Sequence, residues 1–265
     1  MGLTLQSFPS VADAAAALAD VDARYLGGGT LAVRANNEGD VSFSKLVRVT
    51  DPALAAISVD GVRVRLGASV TMAAIARHPD LGAVAAAARA VGGPAVRNMA
   101  TVGGNLFAAA PYGDFAVALL ALNATVHFSD GDQPIEAFLA GRDTLPRRRI
   151  VTGVSFTLPA AGAFRFKKVS RVKPKGVSVL SIAAVIEEDG GAIRSARIAL
   201  GCMADRPMRA RAAEKALAGK ARTTEGIAVA LAAATDGTSP ITDAIASGWY
   251  RAEVLPVHLG RLLLE

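Results

Sequence analysis

The chain has 265 residues, 52% of them hydrophobic and 20% charged, enough for one large domain or two to three smaller ones that bury roughly three quarters of the unfolded surface. Lysine and arginine total 29 against 23 acids, a net +6 spread along the sequence, and the densest run, Arg147 to Arg149, lacks the interleaved aromatics of a nucleic-acid surface. A single cysteine, Cys202, excludes an internal disulfide, a self-sufficient iron–sulfur site and a structural zinc site, so any cluster chemistry belongs to another chain.

The amino-terminal stretch has no basic region leading into an apolar core, and no uncharged apolar run reaches the roughly 18 residues of a membrane span. A soluble, cytoplasmic protein is expected. Ser10 followed by Asp13, with Val11, Ala14, Ala15 and Leu18 on one side, predicts a capped amphipathic helix. The short strand "ARYL" runs directly into "GGGT", and "SKLVRVTD" reads as a strand ending where Asp51 and Pro52 begin a short helix. In "ISVDGVRVRLG" the alternation of Val62, Val64 and Leu66 with Arg63 and Arg65 around Asp60-Gly61 predicts a hairpin. Helices are expected at 71–77 and 82–91, and a second hairpin in "ATVHFSDGDQPI".

Beyond the Ala/Gly/Pro stretch near Ala160 the pattern changes. Three strands, "FRFKKVSRV", "VSVLSIAAVIEE" and "AIRSARIALG", precede helical segments at 209–217, 224–234 and 242–264. Strands followed by helices predict an α+β unit with its helices on one face of a three-stranded antiparallel sheet. The expected division is 1–159 and 160–265, with the first part split again near residue 57.

Two places combine a preceding short strand, consecutive glycines and a hydroxyl: "YLGGGTLAV" and "ATVGGN". Glycine admits φ > 0 and lets an anionic ligand approach backbone N–H groups, so two such loops suit two walls around one pyrophosphate. Neither is a P-loop, since no lysine follows the glycines, and neither has the spacing of the Rossmann fingerprint. His78, His127 and His258 are scattered and read as structural or surface residues, Cys202 ends an apolar strand as a buried thiol, and no nucleophile or metal-ligand motif occurs.

The stretch "RNMATVGGNLFAAAPYGD" resembles, almost position for position, the second FAD motif of the medium subunits of molybdenum hydroxylases, the group of xanthine dehydrogenase and aerobic carbon monoxide dehydrogenase. "LGGGTLAV" is similar to their first motif, and "FKKVSRVKPKGVSVLSIAAVI" and "GWYRAEVLPVHLGRLL" are similar to their carboxy-terminal segments. The resemblance implies a two-part FAD-binding domain of the vanillyl-alcohol-oxidase (PCMH) type, then an α+β domain. It implies that the backbone of Leu26, Gly27, Gly28, Gly29, Thr30, Leu31, Ala32 and Val33, and of Thr101, Val102, Gly103, Gly104 and Asn105, surrounds the FAD pyrophosphate. Asp114 falls where an acid bonds a hydroxyl of the flavin nucleotide, and also stands as a candidate helix N-cap; Lys167 falls where a lysine reaches the flavin, with Lys168 on the opposite face.

The implied role is an electron-transfer subunit. Its partners would be a small subunit with 2Fe-2S clusters and a large subunit with the molybdenum cofactor, in a heterotrimer or its dimer, and electrons would leave through FAD to an external acceptor. Val172 departs from the second arginine of many members, and Lys175-Gly176 from an acid near the flavin ring. A stand-alone FAD-dependent oxidase or reductase with its own substrate pocket is the alternative, and a non-catalytic scaffold the third reading.

Overall fold

Three sheets carry the chain in the computed structural model, which describes residues 2–172 and 176–265. The first is parallel, in the order β1 (Thr4–Phe8), β3 (Lys45–Val49), β2 (Ala23–Tyr25), with Lys45 in register with both Thr4 and Ala23. Helix α1 (Val11–Ala17) starts where Ser10 Oγ accepts from Asp13 N at 3.1 Å, and α2 (Ala32–Asn37) follows the glycine triplet after Thr30 and Leu31. Ala14, Leu18, Ala23, Val47 and Val49 form a small core closed by Leu54 and Ile150. The sequence reading contained neither β1 nor α2. Four of the five β1 residues are exposed, so no alternation marks the strand, and α2 buries none of its residues.

The second sheet is antiparallel with five strands in the order β4-β5-β8-β6-β7. Both expected hairpins occur, β4 (Ile57–Asp60) with β5 (Arg63–Gly67) and β6 (Thr125–Phe128) with β7 (Gly131–Pro134), and β8 (Val151–Thr157) joins them. Between the hairpins run α3 (Met72–Arg77), α4 (Gly82–Ala90), α5 (Pro94–Met99), α6 (Val102–Phe107) and α7 (Asp114–Ala121); α8 (Ile135–Gly141) follows β7. All eight residues of α7 are buried, so this helix lies inside the protein rather than against it.

The third sheet, order β12-β11-β10-β9, consists of β9 (Phe164–Ser170), β10 (Ser178–Asp189), β11 (Ala192–Gly201) and β12 (Met208–Arg209). Four strands replace the expected three, because Ala199 and Leu200 pair with a two-residue segment too short to carry a periodic signal. Helices α9 (Arg211–Leu217), α10 (Thr224–Ala232) and α11 (Gly248–Leu264) cover one face, packing on Leu180, Ile182, Ala184, Ile198 and Leu200. The other face sends Ala183, Val185 and Ala199 into the core around α7. Each fully buried Leu or Ile contributes roughly 1.5–3 kcal/mol. Helix α11 starts six residues later than expected, since Asp243 Oδ1 folds 242–247 into a loop by accepting from Ile245 N at 2.8 Å and Ala246 N at 3.0 Å. Ser247 is its cap, accepting from Tyr250 N at 3.1 Å. No helix of the described residues is long and apolar enough to cross a membrane.

Candidate functional site

A cleft of about 1000 Å³ lies between the first sheet and the α5–α7 region, and both glycine segments line it. From the first segment Gly27, Gly28, Gly29, Thr30, Leu31 and Ala32 face the cleft, whereas Leu26 and Val33 do not. Leu26 N is bonded to Val47 O at 2.7 Å and Val33 N to Gly29 O at 2.9 Å. Between them, the N–H groups of Gly27 to Ala32 have no acceptor among the described residues. Gly29 has φ +75°, where side chains are strained.

The second segment corrects the sequence reading. Gly103 and Gly104 occupy the first turn of α6, which follows helix α5 rather than a strand, so neither needs a positive φ. Thr101 Oγ1 caps that turn by accepting from Gly104 N at 3.1 Å, and Asn105 Nδ2 donates to Thr101 O at 3.1 Å. Thr101, Gly103, Gly104 and Asn105 line the cleft, while Val102 is buried in the core. A Cβ on Gly104 would meet only Thr101 Oγ1, at 3.1 Å, and otherwise open space.

The two segments adjoin instead of facing each other across a gap. A Cβ on Gly28 would lie 1.6 Å from Met99 O, and one on Gly27 would lie 2.9 Å from Thr101 Oγ1. Glycines in the first segment therefore allow one wall to touch the other, and the bare backbone of both is turned to a single cavity.

Asp114 is not the N-cap of α7. Gly113 holds that position at φ +85°, and Asp114 is the first helical residue. Its buried carboxylate accepts from Ser178 Oγ at 2.7 Å through Oδ1 and pairs with Lys168 Nζ at 2.9 Å through Oδ2, at the edge of the cleft. Lys168 also donates to Ala90 O at 2.9 Å, at the end of α4. Lys167 is directed elsewhere and pairs with Glu265. The two lysines are neighbours on β9 and point to opposite faces, and the structure gives the cleft to Lys168.

Sequence reading also missed Arg142. It is buried and donates through Nη1 to Leu106 O at 3.0 Å and Ala108 O at 3.1 Å, closing the end of α6. Burial holds its pKa below the ordinary arginine value, with Asp143 and Asp205 opposing. Arg34 and Tyr112 meet at 2.9 Å on the cleft wall, and burial pushes the Tyr25 phenol up to about 12. None of these carries a local motif; each is brought to the cleft from a different element. Lys175 lies outside the described residues, Gly176 lines the cleft, and Val172 is exposed.

The nucleophile and metal candidates stay apart from the cleft. Cys202 is buried, with its thiol pushed up to about 12 by desolvation and by Asp114. His127 bridges strands, with Nδ1 2.7 Å from Asp132 Oδ1 and Nε2 2.8 Å from Ser155 Oγ. Among the described residues no cluster could hold a metal ion.

A cleft with unbonded backbone N–H groups on one wall, a glycine turn on the next and a single paired carboxylate is suited to an anionic, phosphate-bearing ligand. The chain belongs to the flavoprotein family of molybdenum hydroxylases: the model for the FAD binding domain in molybdopterin dehydrogenase matches residues 4–160, and that for the CO dehydrogenase flavoprotein C-terminal domain matches 164–265. It is an FAD-binding medium subunit of that group. It is 31% identical over 177 residues to the glyceraldehyde dehydrogenase medium chain of Sulfolobus acidocaldarius, a match spanning 64% of this chain and 63% of that one. The xanthine dehydrogenase FAD-binding subunit of Escherichia coli is 30% identical over 228 residues, 78% of this chain and 76% of that one. Among solved structures, a chain of carbon monoxide dehydrogenase from Hydrogenophaga pseudoflava has a TM-score of 0.90 at 26% identity, covering 99% of this chain and 96% of its own.

Proposed function

We propose that the cleft holds the FAD pyrophosphate on the N–H groups of Gly27 to Ala32 and against the open face of Gly104. The observation that carries this reading is the coincidence, in one cavity, of six consecutive donors without acceptors and a glycine whose Cβ position meets only the Thr101 hydroxyl, at 3.1 Å. Thr101 and Asn105 keep the α6 turn rigid beneath the phosphates. Asp114 takes a hydroxyl of the nucleotide, with Lys168 rather than Lys167 balancing its charge. Residues 1–159 act as the FAD-binding domain, divided near residue 57, and 160–265 as the carboxy-terminal domain. FAD supplies the electron-carrying chemistry when bound, and the chain contributes binding, orientation and exclusion of water.

In the cell this chain would work in the cytoplasm beside a 2Fe-2S subunit and a molybdenum-cofactor subunit, passing their electrons to an external acceptor. The lone buried Cys202 supports placing the clusters on another chain. The stand-alone oxidase reading needs a base free to act in the cleft, and the carboxylate that lines it, Asp114, is engaged by Ser178 and Lys168. The test is Gly104→Val. It should leave the unfolding midpoint of the apoprotein within a few degrees of wild type and abolish visible flavin absorption in the purified protein. A variant that retains stoichiometric flavin would remove Gly104 from the site.

A further inference from the structure

The polar chain that starts at Asp114 continues into the carboxy-terminal sheet. Ser178, fully buried at the first position of β10, donates its hydroxyl to Asp114 Oδ1 at 2.7 Å. The carbonyl of the same serine accepts from Arg251 Nη1 at 3.4 Å, and the carbonyl of Val179 accepts from that nitrogen as well. Arg251, on α11, is 0% exposed, and its Nη2 donates to Asp243 Oδ1 at 2.7 Å. A path of hydrogen bonds, joined through the covalent frame of Ser178, therefore runs from the 242–247 loop to the wall of the cleft.

Packing does not account for an arginine there. Burying a guanidinium is costly, and the site is incompletely satisfied, since Arg251 Nε and Asp243 Oδ2 have no hydrogen-bond partner among the described residues. Its donors are instead placed at a weak point of the sheet. The register between β10 and β9 shifts between Ser178 and Leu180, so regular pairing is interrupted where the strand supplies the hydroxyl to Asp114.

We propose that Arg251 is a positioning residue for the cofactor cleft, holding Ser178 so that its hydroxyl fixes the rotation of the Asp114 carboxylate. The effect passes through Ser178, because Arg251 does not line the cleft. The proposal rests on the FAD reading above.

A double-mutant cycle on the full-length chain tests it, with wild type, Arg251→Lys, Ser178→Ala and the double variant. FAD affinity is read by quenching of flavin fluorescence, and the unfolding midpoint is measured without FAD. Each single substitution should weaken FAD binding about tenfold, and the double by about the same tenfold, because both cut one link. A merely structural arginine gives a lower midpoint with wild-type FAD affinity, or losses that multiply to about a hundredfold; either result overturns the proposal. If Arg251→Lys does not fold, Asp243→Asn takes its place in the cycle with the same two outcomes. A wild-type chain that binds no FAD overturns the FAD reading and this proposal together, whereas wild-type binding with unresponsive variants overturns this proposal alone.

Discussion

Gly28 and Gly104 show two different uses of a missing side chain. At Gly28 the Cβ site is filled by the backbone of Met99, whereas at Gly104 it meets only the Thr101 hydroxyl, at 3.1 Å. Gly28→Ala must push the two walls apart, and we expect a loss of roughly 1–3 kcal/mol in denaturant unfolding of the apoprotein. Gly104→Val should cost little stability and abolish flavin binding if the proposed site is right, so unfolding and flavin content should report opposite patterns for the two positions. A similar contrast separates the adjacent lysines. Lys168→Met leaves Asp114 buried without its counter-charge and should weaken FAD binding at least tenfold by fluorescence titration, while Lys167→Met removes a half-exposed pair with Glu265 and should leave affinity unchanged. The resemblance pointed to Lys167, whereas Lys168 lines the cleft; a strand turns the two neighbours to opposite faces, and only the packed sheet says which face is inside.

At the scale of elements, short-range chemistry was readable and long-range pairing was not. Ser10 capping α1, Asp51 accepting from Ala53 N at 2.9 Å and the Asp60-Gly61 hairpin all rest on contacts within a few residues. The turn identity of "TVGGN" depends on Ala68 and Val70, which are distant in sequence, and strand β12 shows only through its pairing with Ala199 and Leu200 of β11. The 242–247 loop is also local, held by bonds within three residues and by Arg251 eight residues on, although the sequence reading ran it into α11. Burial raises the Asp243 carboxyl, but bonds from Ala246 and Ile245 and the Arg251 charge more than offset this, leaving it below the usual value. A lowered folded pKa means stability that is present above the unfolded value of about 3.9 and lost as pH falls through the folded one. We therefore expect the unfolding free energy to decline below about pH 4, and Asp243→Asn to be less stable at pH 7 with a shallower decline in the acid range, measured by urea titration across pH.

For the molecule as a whole, α7 is the joint. It is apolar on nearly every side because α4 and α6 pack on one flank while Ala183, Val185 and Ala199 of the third sheet close the other. The two family models meet between 160 and 164, yet the core crosses that line. A fragment of residues 1–160 should consequently lack cooperative thermal unfolding and bind a hydrophobic dye, even with FAD present. A fragment that unfolds cooperatively and takes up FAD would show that the first part is autonomous. For the full chain, FAD at a hundredfold excess over its Kd should add about 2.7 kcal/mol to stability and raise the midpoint accordingly.

The sequence by itself determined the α+β composition, the two glycine segments, the lone thiol that cannot by itself hold an iron–sulfur cluster, and, through motif resemblance, the FAD family. These follow from residue identity and local spacing, which act within a few positions along the chain. The tertiary structure decided that the glycine walls touch rather than oppose, that Lys168 and not Lys167 reaches Asp114, and that Arg251 stands behind Ser178. Each of those joins residues tens of positions apart. Their geometry depends on which faces are buried together, a property of the packed core that no local pattern encodes.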